Sequence, residues 1–328
     1  MSSHKEVTTD LFVGIDLGGT KIVTALVSED GRIIAEDYRQ TEATKGLAAV
    51  VRRMTDSAKN VMKSASVTPG QIKAAGVAAP GPIDAESGIV TAPPNLPGWK
   101  DVPLRQLIQD ELGLHTELEN DANAAALAEH RFGGGRGTQH MIYVTASTGI
   151  GGGFIVNGEL YAGATGAAGE IGHMTILPKG PYCGCGNRGC LEALASGRAI
   201  AREARERVTC GVATLIEDLA GGDLNRISAK LVAEAAAQGD VEAEEILGEA
   251  MTFLGVGMAN LVNLFNPELI VIGGGLTKMG ERLFTPVRRV MHRRAFHSSM
   301  QAVVVAPSQL GDDVGVLGAA AVAMLSCK

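Results

Sequence analysis

One order of elements is written twice in this chain. LFVGI (11–15) is a short apolar run rich in β-formers, followed by the glycine corner DLGGTK (16–21), the run IVTALVS, an EDG turn and a third run, RIIAEDYRQ. The order returns at MIYVTA (141–146), the corner STGIGGG (147–153), then FIVNG and ELYAG, with Asn157–Gly158 as the hairpin turn. Strand, glycine corner, strand, tight turn, strand, repeated in this way, predicts two related α/β halves. The length of 328 residues suits two domains with sizeable cores.

Between and after the repeats the periodicity changes. Residues 46–65 and 103–113 read as helices, the second ending at Gly113. IKAAGVAAP (72–80) reads as a strand entering a Pro-Gly turn, and HTELEN as a strand edge leading into a helix over DANAAALAEHRF. A third glycine corner stands in LIVIGGGL (269–276), read as strand, turn and helix start. VGVLGAAAVAML (314–325) is too short to span a bilayer and reads as a buried terminal helix. A glycine turn lets backbone N–H groups approach a phosphate. One such turn is a weak signal. Three, two of them at matching places, point to a nucleotide clamped in a cleft between two domains.

Charge narrows the partners. Net charge is -7 with no basic stripe, so nucleic acid is not an expected partner. The arginines of VRRVMHRRAFH (287–297) read as the solvated face of a helix. MSSHKEVTTD lacks the apolar core of a signal peptide, so the expectation is a cytoplasmic protein with no membrane partner. In a reducing compartment five cysteines should not build a disulfide framework.

Three of those cysteines lie in YCGCGNRGCLE (182–192). Glycines at 184, 186 and 189 let the backbone curl so that Cys183, Cys185 and Cys190 aim at one point. His173, in GEIGHM, is the candidate fourth ligand of a tetrahedral Zn²⁺. Four protein ligands leave no open position, so such a zinc is structural. The competing reading is three unrelated buried thiols. Cys210 and Cys327 lack the spacing to join.

Taken together, DLGGTK, ENDANAAALAE, TGIGGG, GAAGEIGHM and CGCGNRGCLEALASG resemble the ROK family of bacterial sugar kinases and sugar-responsive repressors, in the family's order, from about residue 11 to the C-terminus. APPNLPGWKDVPL (92–104) is most similar to the glucokinases of that family. The resemblance implies a two-domain actin-like ATPase fold of the hexokinase/Hsp70 type, with ATP and sugar in the interdomain cleft. It places a small N-terminal α/β domain at 1–120, joined by a C-terminal helix at about 312–328. A large α/β domain with the zinc-binding loop takes 121–311. Two residues depart from the common pattern: Ser147 and Ala78 stand where glycine is frequent.

The implied activity is ATP-dependent transfer to the 6-hydroxyl of glucose. Asp121, in LENDAN, would be the base that takes the hydroxyl proton. Asp also suits the cap of the helix that follows, a duty that Asn120 could fill instead. Asn95, Asn120, Glu170, His173 and Glu192 match positions that contact sugar in the family. His173 would offer one ring nitrogen to zinc and the other to the sugar. ATP would meet Asp16, Gly18, Gly19, Thr20 and Lys21 from one domain, and Thr148, Gly149 and Gly151 from the other. Gly274 and Gly275 would approach the adenosine. Mg²⁺ would bridge the phosphates beside Asp16. Lys21 reads equally as a phosphate contact or a solvated strand charge. Family members are often dimers or tetramers, so a homo-oligomer is expected. Alternatives are another hexose (N-acetylglucosamine, N-acetylmannosamine, fructose or mannose), polyphosphate as donor, or a non-catalytic sugar-sensing regulator. A regulator needs a helix-turn-helix domain, for which the start of the first strand near residue 11 leaves no room.

Overall fold

A computed structural model describes residues 9–327. Most of the N-terminal stretch read for a signal peptide, residues 1–8, and Lys328 of the terminal segment lie outside the described residues.

The first repeat folds into β1 (Leu11–Leu17), β2 (Lys21–Ser28) and β3 (Ile33–Gln40). Helix α1 (Leu47–Ser64), β4 (Ile72–Ala79), the small hairpin β5 (Ile83–Asp84) and β6 (Ile89–Val90), α2 (Leu104–Leu112) and β7 (Thr116–Asn120) follow. Gly113 ends α2 in the left-handed region, as read. Helix α3 (Asp121–Phe132) leads into the second repeat, β8 (Met141–Ala146), β9 (Ile150–Val156) and β10 (Glu159–Leu160). Then come α4 (Leu191–Ala195), α5 (Gly197–Thr209), α6 (Leu215–Ala220), α7 (Ala229–Ala237) and α8 (Val241–Phe265). The chain closes with β11 (Leu269–Gly273), α9 (Glu281–Arg294), α10 (His297–Ala302), β12 (Val304–Pro307) and α11 (Val314–Leu325).

The sheets carry the duplication. The first runs β3-β2-β1-β4-β7 and the second β10-β9-β8-β11-β12. In each, the first three strands in sequence pair antiparallel and the last two join in parallel. Strand for strand the order and directions match. Val13, Ile15 and Leu17 on one face of the first sheet meet Val50, Met54 and Val61 of α1 and Ile108 of α2. In the second, Ile142, Val144, Ile270 and Ile272 pack with Met251, Leu254 and Met258 of α8 and Leu283 of α9. Helix α8 is long and apolar enough to cross a membrane, but it is mostly buried in this core.

Helices α3 and α11 lie between the sheets. They pack against each other, α11 against β1 and β4, and α3 against β8 and β9. Both are rich in alanine, and the approach is close. A Cβ on Gly14 or Gly76 would run into the backbone of α11, and one on Gly318 into the backbone of α3.

Glycine serves the same purpose in STGIGGG. The whole run reads as a turn in the sequence, yet the turn is only 147–149, and β9 begins at Ile150. Gly151, Gly152 and Gly153 pair with Thr145, Val144 and Tyr143. A Cβ on Gly153 would lie 2.8 Å from that of Ala126 on α3. Close helix–strand packing accounts for the glycines there. ELYAG is strand for two residues only.

Candidate active site

All three glycine corners stand at the carboxyl ends of strands that run parallel in their sheets, where open α/β sheets bind ligands. In the first, Gly18 N–H donates to Lys21 O at 2.8 Å and closes the turn. Thr41 pins it from outside: its hydroxyl donates to Gly18 O at 2.7 Å and its N–H to Thr20 O at 2.8 Å. In the second, Ser147 N–H donates to Gly149 O at 2.9 Å. The N–H groups of Gly197 and Arg198, at the start of α5, donate to Ser147 O and Thr148 O at 2.8 and 3.3 Å. In the third, Gly274 has φ 88°, and a Cβ there would lie 2.6 Å from Ala146 O. That close approach sets the third corner against the second, with Gly275 facing the Ser147 hydroxyl.

This bonding leaves a pattern. Among the described residues the N–H groups of Gly19 and Thr20, of Thr148 and Gly149, and of Gly274 and Gly275 have no acceptor. Unpaired N–H groups on three glycine corners are what an oligophosphate needs. Gly151 contributes none of them; it lies beyond the turn, inside β9. Lys21 is exposed, and its charge offsets only part of the rise that burial and Asp121 impose on the Asp16 carboxyl.

Asp121 opens α3. Its neighbour Asn120 is the cap: Asn120 Oδ1 accepts from Ala122 N–H at 2.9 Å and Asn123 N–H at 3.4 Å. Asp121 Oδ1 accepts from Ala122 N–H, at 2.8 Å. Solvent reaches the side chain, yet protein surrounds it closely enough that burial pushes its carboxyl up to about 6, with the charge of Glu170 adding to the rise. Burial first, and then the charge of Asp121, pushes Asp16 up to about 6 as well. Behind them Glu119 is buried, accepting from Asn120 N–H at 2.7 Å and Asn123 Nδ2 at 3.0 Å; burial raises its pKa. Ala78 lies between Asp16 and Glu119 in the strand register and keeps that row narrow.

The sulfur cluster forms. One ligand atom each from His173, Cys183, Cys185 and Cys190 lies within 4.8 Å of all the others. His173 Nδ1 is 3.7 Å from Cys183 Sγ, and Cys185 Sγ is 3.7 Å from Cys190 Sγ. A tetrahedron with Zn–S bonds of about 2.3 Å has edges of about 3.8 Å, so these donors fit zinc. They are not disulfide-bonded. Burial pushes the Cys190 thiol up to about 12 and also raises Cys183, while the Asn187 N–H lowers Cys185. A bound cation reverses that logic by holding thiolates. The ring nitrogen facing away from the sulfurs, His173 Nε2, lies 3.8 Å from Glu170 Oε2.

Asp121, Glu170 and His173 thus come together. Glu192 does not face open space with both oxygens: its Oε2 accepts from Ile150 N–H at 3.0 Å. Asn95 lies against Gly19, 2.8 Å from where a Cβ of that glycine would be. It shares with Gly19, Thr20, Glu42 and Pro97 the wall of an open cavity of about 580 Å³. Three contributors escape the sequence reading. Thr41 carries no local signal. The α5 N-terminus was readable only as the Ser196 cap. Glu129, present in ENDANAAALAE without a role, is fully buried. Its carboxylate accepts from Ser308 Oγ at 2.6 Å and from the N–H groups of Leu310 and Gly134 at 3.1 Å, fastening both chain crossings between the sheets.

A model of the ROK family matches residues 12–325. A glucokinase from Thermotoga maritima is 40% identical over 310 residues, spanning 94% of this chain and 96% of that one. A putative xylose repressor from Caldicellulosiruptor sp. is 36% identical, over 95% of this chain and 77% of the repressor. The crystal structure of a ROK family glucokinase from Streptomyces griseus in complex with glucose and AMPPNP matches with a TM-score of 0.82 at 34% identity, covering 96% of this chain and 99% of that one. The family model spans both sheets and the cysteine loop.

Proposed function

The chain belongs to the ROK family, and on that premise we propose that it is an ATP-dependent glucokinase with Asp121 as its base. The observation that carries this reading is the Asp121 carboxylate, relieved of capping by Asn120 and set beside Glu170. Its similarity to glucokinases along nearly their whole length supports glucose as the acceptor.

The 6-oxygen of glucose attacks the γ-phosphorus in line. The new O–P bond forms as the bond to the bridging oxygen breaks, ADP leaves with that electron pair, and the hydroxyl proton passes to Asp121. Asn95, Asn120, Glu170, His173 Nε2 and the second oxygen of Glu192 are the proposed sugar contacts. Thr148, Gly149, Gly18, Gly19 and Thr20 would receive the phosphates, Gly274 and Gly275 the adenosine. Asp16 would help hold the Mg²⁺ that accompanies the nucleotide, and that ion would supply charge neutralisation. His173, Cys183, Cys185 and Cys190 would hold a structural Zn²⁺. The domain division belongs to the same proposal: strands β1–β7 fall within 1–120 and β8–β12 within 121–311, with α11 returning to the first sheet.

The test is ADP release with Mg-ATP and glucose, N-acetylglucosamine, N-acetylmannosamine, mannose or fructose, side by side. A clear preference for glucose is expected. Preference for another sugar keeps the chemistry and rejects the acceptor. No release with any of them rejects ATP-dependent transfer to these sugars and sends the search to polyphosphate.

A further inference from the structure

The segment that follows the cysteine loop does more than the sugar contact assigned above requires. Glu192 stands in the first turn of α4, directly after the donor Cys190 and Leu191. Helix α4 is locked in place: Leu191 N–H donates to Met174 O at 2.9 Å, and Leu191 fills the space that a side chain on Gly257 of α8 would need. From this fixed base the Glu192 side chain reaches back across 42 residues to the second glycine corner. Oε2 accepts the Ile150 N–H at 3.0 Å, and it sits where a Cβ of residue 149 would otherwise be.

The consequence lies in which groups are tied and which are left. The carbonyls of Ser147 and Thr148 are held by Gly197 and Arg198, and the N–H of Ile150 by Glu192. The N–H groups of Thr148 and Gly149, between those ties, keep no acceptor among the described residues. We infer that Glu192 is a positioning residue for the phosphate corner, so that the loop assigned to the sugar also sets the nucleotide site. The bond needs an acceptor oxygen at that reach; the negative charge itself, close to incoming phosphates, is not what positions the turn.

The inference rests on the kinase reading, so its test separates the two. Mg-ADP binding to the metal-loaded protein is measured by calorimetry without sugar, alongside zinc content. Glu192→Gln retains an amide oxygen that can accept from Ile150 and should bind Mg-ADP within about twofold of the unaltered protein. Glu192→Ala, which has no acceptor, and Glu192→Asp, which is one methylene short, should each weaken it about five- to tenfold, the worth of one such bond. Zinc content should stay unchanged in all three. The idea fails if Ala and Asp bind Mg-ADP as tightly as the unaltered protein, or if Gln is as impaired as Ala. Should the Ala variant not fold, the Asp and Gln pair decides. If the unaltered protein binds no Mg-ADP, the kinase reading itself is wrong and this inference goes with it.

Discussion

The glycine corner between β1 and β2 hangs from its own sheet. Thr41, one residue past β3, holds it through two hydrogen bonds, and β3 pairs directly with β2 in the sheet. The corner between β8 and β9 has the same place in the duplicated order, yet its fasteners come from Glu192, Gly197 and Arg198. The reason lies in what each half carries after its third strand. The first half passes from β3 almost directly into α1, whereas the second inserts the cysteine loop between β10 and α4. Duplication transmits the local turn. What fixes the turn depends on what each copy has next to it. One phosphate corner should therefore answer to metal and the other should not.

Asp121 serves both corners and belongs to neither, so changing it should have the largest effect without touching this contrast. Asp121→Asn should cut turnover by about 10²–10⁴-fold, the usual contribution of a general base. Mg-ADP affinity should hold. Asn keeps an oxygen for Ala122 N–H and removes a carboxylate whose charge burial disfavours, so Tm at pH 7 should rise. Retained turnover in steady-state assays would remove Asp121 from the chemistry.

The contrast itself breaks with the metal. Cys185→Ser, or chelation, should release the bound zinc and lower Tm by more than about 5 °C. Sugar and Mg-ADP should both bind more weakly, because Glu192 stands two residues after the donor Cys190 and loses its hold on Ile150 when the loop loosens. Among the described residues no hydrogen bond joins Thr41 or the first corner to that loop, so exchange of the Gly18 and Thr41 amides, each bonded within the corner, should stay slow while exchange at Ile150 quickens. Uniform quickening at both corners would show that they are fastened as one.

Proton concentration gives a milder handle. Asp121 must be ionised to accept a proton, and its carboxyl stands near 6 rather than about 3.9. The rate profile of kcat/KM should fall tenfold per pH unit below about 6; a limb near 4 would contradict the crowding described around Asp121. Stability moves the other way for this group. A folded-state pKa raised above the unfolded value favours the native protein at low pH, and that advantage is lost as pH rises from about 4 through 6. The Tm gain of Asp121→Asn should therefore shrink as pH is lowered from 7 toward 5.

Much of this architecture is local and was legible. β8 and α11 run over the residues that their apolar runs mark, because burial on both faces leaves a continuous signal. Asn157 and Gly158 turn the hairpin because both take positive φ, as an Asn-Gly pair readily does. The cysteine spacing, with its glycines, brought the three sulfurs and His173 together. What stayed hidden is of two kinds. Gly151–Gly153 look like a turn because glycine marks tight turns and close packing alike, and only the position of α3 tells them apart. Glu192 on Ile150, and Glu129 on Ser308, are contacts between distant parts of the chain. No periodicity records them, since a side chain's reach depends on where a separate element packs.

Thr41 offers the smallest and cleanest way to sharpen the contrast. Thr41→Val keeps the branched shape in a fully buried position and keeps the N–H bond to Thr20 O, removing only the hydroxyl bond to Gly18 O. One neutral hydrogen bond is worth about 0.5–1.5 kcal/mol, and a buried carbonyl left short of a donor lies toward the upper end. Mg-ADP affinity should fall about two- to fivefold, with sugar affinity and zinc content unmoved. Combined with Glu192→Asp, the two losses should multiply if each corner is held by its own half. A combined loss no larger than the greater single one would mean that the corners share a fastening through the bound nucleotide, and the division drawn from the two sheets would not extend to the site.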